Sequence, residues 1–187
     1  VAPNSGVITN VIYTENFGTQ STANGTHSVT VAGVGSGAST TYNYYDAILG
    51  TTPPDWTDGD GPPKSLQDGR YTVFNNIQNL ASWAAGNWQT IGDHTNGGTT
   101  PTAGRMLVVN AALTPGEFYR KTLTNVTTGA PVNISFWVMN LFTVTGGNLP
   151  NIDVEFWQSG SLVYTFNTGD VNWFTAGDVN AWQQFKN

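Results

Sequence analysis

Cysteine is absent from the 187 residues, so no disulfide can staple this chain and no thiolate can hold zinc. Charge is scarce too, at 10% of residues against roughly a quarter in an ordinary soluble domain. Lys and Arg number six and Asp and Glu twelve, for a net charge of −6. That balance leaves no basic patch for a phosphate backbone, so no nucleic-acid partner is expected. No run approaches the roughly 20 apolar residues of a membrane span, so no membrane insertion is expected. No secretory leader pattern is visible, and the chain opens at Val1 rather than methionine, which reads as a mature or excised piece of something larger.

Apolar residues make up 39% and aromatics 12% of the chain, alongside 22 glycines. Apolar content this high excludes a disordered chain. Thr, Val, Tyr, Phe and Trp suit pleated, half-buried surfaces, while Gly, Asn and Asp suit turns. The length fits one domain, residues 1–187, with a sizeable core.

Period-two alternation recurs along the chain and predicts strands. In "VIYTENF", Val11, Tyr13, Glu15 and Phe17 share one face. In "NISFWVMNL", Ile134, Phe136 and Val138 oppose Ser135, Trp137 and Met139, leaving both faces largely apolar. "NIDVEFWQ" and "SLVYTFNT" flank a "QSGS" turn, which predicts a hairpin. "HSVTVAG", "RYTVFNN", "RMLVVNA" and "EFYRKTLTNV" complete the set. The one helix-like patch, "NNIQNLASWAAGNW", predicts no more than a turn or two inside a loop. Eight or more short strands joined by long loops fit an all-β, antiparallel two-sheet sandwich of the jelly-roll kind.

The ordered set "YTENFGT", "DGRYTVFNN", "IGDHT", "GRMLVVNA", "GEFYRKTL", "NISFWVMNL" and "PNIDVEFW" resembles a galactose-binding-like jelly-roll module of large bacterial cell-surface and adhesin proteins. The resemblance covers roughly residues 10 to 185. It implies a two-sheet antiparallel sandwich, a non-catalytic binding role outside the cell, and a calcium ion near one end of the sheets. Relatives of that kind continue past the "WQQF" strand to a final acidic strand, which this sequence lacks. The domain is therefore expected to lack its C-terminal strand or strands. The edge at residues 11–17 is then open to a complementing strand from another segment or chain.

Several residues could carry recognition. Asp93 and His94 stand together before a Gly- and Thr-rich loop. One reading makes them ligand contacts; the other has Asp93 capping the loop and His94 packing beside a tryptophan. Arg105, at the start of an apolar run, could grip a ligand carboxylate with its two-pronged guanidinium or pair with Asp93. Trp56, Trp83, Trp88 and Trp173 fall in loops, where an indole can stack on a sugar ring, and Trp56 and Trp88 are taken into the candidate site. Trp137 and Trp157 sit in strands and are expected to be packing. For calcium, Asp58 and Asp60 lie in "DWTDGDGPP", a flexible oxygen-rich loop without the later Glu of an EF-hand. Asp68 precedes a strand in "LQDGRY", and the resemblance places the ion there, near Glu15.

Catalysis has little to stand on. There is no G-x-S-x-G elbow, and a conceivable carboxylate pair such as Asp153 with Glu155 reads as a solvated strand face. The expectation is a non-enzymatic extracellular module that binds carbohydrate or peptide. A structural spacer or assembly module is the first alternative and a glycoside-active hydrolase the second.

Overall fold

A computed structural model describes residues 11–17, 41–45, 65–75, 77–81, 84–98, 104–127, 129–144 and 146–187. Among these the regular structure is strand, with 3₁₀ turns and no longer helix, so the chain is all-β. "HSVTVAG", Trp56, Trp83, Asp58 and Asp60 lie outside the described residues.

Among the described residues seven strands form three small sheets. The first orders β1 (Asn43–Tyr44), β2 (Arg70–Phe74) and β3 (Met106–Asn110) side by side. β2 and β3 run antiparallel, with Tyr71 opposite Val109 and Phe74 opposite Met106, but β1 lies parallel to β2. That short parallel pair departs from the purely antiparallel expectation. The second sheet pairs β4 (Ser135–Val138) with β7 (Gln183–Lys186), and the third pairs β5 (Asn151–Gln158) with β6 (Ser161–Asp170).

Alternation explains the core. Even-numbered Phe74, Met106 and Val108 pack with Leu66, Leu80, Trp88, Ile91 and Met139 on one face of the first sheet. Odd-numbered Tyr71 and Val73 pack with Tyr42 on the other, joined by Phe17, Leu107, Val109 and Tyr119. Both faces of β2 are covered, and Tyr71 to Phe74 are buried without a break. Burying side chains of this size removes apolar surface worth about 1.5–3 kcal/mol each.

The "QSGS" turn forms as expected, with Gln158 paired to Ser161. Ser159 (φ 51°) and Gly160 (φ 81°) both take positive φ, the backbone a two-residue hairpin loop needs to match strand twist. Two expected strands are absent. Residues 11–17 and 117–126 run irregularly, although Tyr13, Glu15 and Phe17 keep the half-buried alternation read from the sequence. Phe17 (57°) and Asn125 (60°), at or near the end of each, take positive φ. Among the described residues the helix-like patch yields a 3₁₀ turn at Ile77–Asn79 and no longer helix.

Candidate functional site

The His94 loop is built from short-range turns held to the core by polar ties. A 3₁₀ turn at His94–Asn96 ends at Gly97 in the left-handed conformation, where the Gly97 N–H donates to the His94 carbonyl. The Asp93 carbonyl accepts from the Gly98 N–H at 3.0 Å, and Gly92 N–H donates to Gly98 O at 3.0 Å. Upstream, buried Gln89 donates its side-chain amide to the carbonyls of Phe174 (2.9 Å) and Thr175 (3.2 Å). Gln78 donates to the carbonyls of Trp88 and Gln89, each at 2.8 Å. Trp182, just before β7, donates its indole N–H to Gly92 O at 3.1 Å.

Those ties bring His94 against the β4–β7 sheet. Its imidazole lies flat on the Trp137 indole, centroids 3.9 Å apart with 19° between planes, and Trp182 meets it edge-on at 5.8 Å. Trp137 nevertheless remains 42% exposed, which corrects the expectation that it is simply packing. Antiparallel pairing sets Trp137 opposite Gln184 and Ser135 opposite Lys186. Directly opposed residues, and residues two apart on one strand, share a face. Ser135, Trp137, Gln184 and Lys186 are all exposed, and Gln184 reaches the Ser135 hydroxyl at 3.3 Å. The outward face of β4–β7 thus presents an indole flanked by an amide, a hydroxyl and an ammonium, with His94 stacked at its rim.

The structure divides the other candidates. Asp93 is buried and takes the Asn96 side-chain amide at 2.9 Å; its carboxylate makes no capping bond to the backbone of the turn, which corrects the capping expectation. The alternative for His94, packing beside a tryptophan, matches the observed stack. Trp88 is 1% exposed and sits in the main core beside its bridge partner Phe142. Its indole offers no surface to a ligand here, a correction that follows from burial. Trp157, expected in the packing, is 58% exposed and donates to Glu155 Oε2 at 2.9 Å. Trp173 is half-buried.

Arg105 is 3% exposed, and it is not paired with Asp93 among the described residues. Burial draws its guanidinium below the ordinary value, while the Tyr44 phenol acts in the opposite direction.

Of the metal candidates, Asp68 and Glu15 lie within the described residues. Among the described residues no group of three or more His, Asp or Glu side chains is placed to share an ion. Asp68 is exposed in the turn before β2. Both oxygens of Glu15 take protein donors: Oε2 accepts from the Tyr13 hydroxyl at 2.6 Å and Oε1 from the Phe17 N–H at 2.8 Å. The Tyr13 hydroxyl also meets that of Tyr119 at 3.0 Å, and Lys121 Nζ stands 4.4 Å from the Tyr13 ring centre. Burial first, then the bond to Glu15, hold the Tyr13 phenol far above its usual range. Tyr13, two residues away, engages Glu15, and Tyr119, distant in sequence, meets the Tyr13 hydroxyl.

Asp153 and Glu155 do share an exposed face of β5. Asp153 accepts from Asn167 at 2.6 Å and Glu155 from Trp157, so each is held in a local strand-face hydrogen bond. No described helix is long and apolar enough to cross a membrane. Comparison with known proteins finds no matching family model, no matching curated protein and no matching solved structure.

Proposed function

We propose that the chain is a non-catalytic, extracellular binding module of a bacterial surface protein or adhesin, folded as a galactose-binding-like jelly-roll sandwich, and that it takes carbohydrate on the outward face of β4–β7. The half-exposed Trp137 indole, stacked on His94 and flanked by Ser135, Gln184 and Lys186, carries the reading. Apolar faces of sugar rings stack on indoles while amides, hydroxyls and ammonium groups read their hydroxyls. An extended peptide is the second ligand class this face suits. In the same reading a calcium ion at Asp68 steadies the domain.

A spacer or assembly role draws support from a different feature. Among the described residues neither β5 nor β6 has a further strand beside it, and Trp157, Leu162, Val163 and Tyr164 are exposed along the hairpin. Val11 and Ile12 are exposed too, and residues 11–17 lack a strand partner among the described residues, which suits a complementing strand.

The test is a glycan and peptide array run with and without chelator, on the wild type and Trp137→Ala. Losing a central aromatic contact costs about 2 kcal/mol, so binding should weaken roughly thirtyfold. The melting temperature should hold within about 2–4 °C, the shift of a 1 kcal/mol change at this chain length. Unaltered binding by Trp137→Ala would move recognition off this face.

A further inference from the structure

Arg105 is not among the residues of the β4–β7 face and poses its own problem. Its side chain is buried, and its Nη1 has no hydrogen-bond partner among the described residues. A guanidinium stays protonated at any physiological pH. A buried cation is tolerated when an anion lies against it, and a lone one is a liability. The described carboxylates are engaged elsewhere. Glu15 takes Tyr13 and Phe17, Asp93 takes Asn96, and Glu117 takes Arg120. Asp153 takes Asn167, Glu155 takes Trp157, and Asp178 takes Asn180. Asp68 and Asp170 are exposed.

Continuing the alternation of β3 places Arg105 on the side of Leu107 and Val109, which pack with Tyr71, Val73 and Tyr44. Charge in surroundings of that kind is poorly screened, so a matching anion is held strongly.

We propose that Arg105 is the seat for the carboxylate of an acidic ligand, a small organic acid or an acidic sugar such as a uronate, gripped through two parallel N–H···O bonds. The seat rests on a buried charge beside the first sheet and not on the Trp137 face, so either assignment can fail without the other.

Thermal unfolding at constant ionic strength tests it, with sodium glucuronate as probe and glucose and sodium chloride as controls. Glucuronate should raise the melting temperature of the wild type by several degrees, and the controls should not. Arg105→Met should lose that shift while melting no lower than the wild type without added acid, because it removes an unpaired buried charge. Arg105→Lys keeps the charge without the fork and should keep a reduced shift. Trp137→Ala should keep the full shift.

Four results would overturn the proposal. The wild type could fail to respond to glucuronate, or the shift could survive in Arg105→Met. Arg105→Met could melt many degrees lower with no acid present, meaning that the guanidinium already has a partner. Finally, Asp→Asn changes at Asp46, Asp55, Asp58 or Asp60 could create a glucuronate response absent from the wild type, placing the carboxylate within the chain.

Discussion

Replacing Gly104 by alanine tests how the His94 loop is held. Gly104 has φ +72°, and a Cβ built there would fall on the Asn96 amide and the Asp93 carboxylate. Gly97 has nearly the same φ, +78°, but nothing lies within 4 Å of its added Cβ. The left-handed backbone penalises alanine at both by about 1 kcal/mol. Only at Gly104 must the Asp93–Asn96 hydrogen bond (2.9 Å) also give way, a further loss of about 1–2 kcal/mol for a bond to a buried carboxylate. Gly104→Ala should therefore cost about 2–3 kcal/mol and Gly97→Ala about 1 kcal/mol. In a chain of this length each kcal/mol moves the melting temperature by about 2–4 °C. Thermal unfolding followed by circular dichroism should then show the Gly104→Ala midpoint about 5–10 °C below wild type, with Gly97→Ala falling less than half as far. Because Asp93 precedes His94, Gly104→Ala should also weaken glycan binding. Equal losses at the two glycines would refute the close packing of Gly104 under Asp93 and Asn96.

Two further outcomes are expected. If calcium sits at Asp68, chelator should lower the melting temperature of a calcium-loaded sample, by the equivalent of about 2.7 kcal/mol at a hundredfold excess of ion over Kd; Asp68→Ala should be insensitive, and identical curves for the loaded wild type would end the idea. The Tyr13 phenol, raised by burial and by Glu15, favours the neutral form in the fold. Its contribution is complete below the unfolded value of about 10 and declines as the pH climbs beyond it. Denaturant midpoints from about pH 9 to about pH 11 should fall less steeply in Tyr13→Phe than in the wild type; parallel slopes would show that Tyr13 carries none of the loss.

Local signals survived the passage from sequence to structure, and distant ones did not. The hairpin of β5 and β6 was legible because period-two alternation and a two-residue turn lie within one short stretch. The irregular paths of residues 11–17 and 117–126 were not, since alternation marks a half-buried face without marking a pairing partner. His94 stands out in the sequence as a histidine in a Gly-rich loop, where packing on a tryptophan is one expectation. Trp137 was misjudged because both faces of its strand are apolar in sequence, and only pairing with β7 decides which one turns outward. Trp88 was misjudged for the converse reason: a loop position by pattern is drawn into the core by its bridge to Phe142. The burial of Arg105, with no partner for its Nη1 among the described residues, had no signature in the sequence.

The pairing of β4 with β7 also sets when the Trp137 face comes into being. β5 and β6 join across two residues, a contact that closes on the microsecond scale. Ser135 and Lys186 meet only after the whole intervening stretch, hairpin included, has been looped back, and such non-local closure is slow. A folding chain therefore acquires its hairpin before it acquires the neighbours of Trp137. Until residues 183–186 dock, Gln184 and Lys186 are absent from the face, and Trp182 has not fastened the Gly92 carbonyl behind His94. If the proposed ligand binds at Trp137, its binding reports completion of the fold: a chain still lacking β7 should expose hydrophobic strand surface yet bind nothing there.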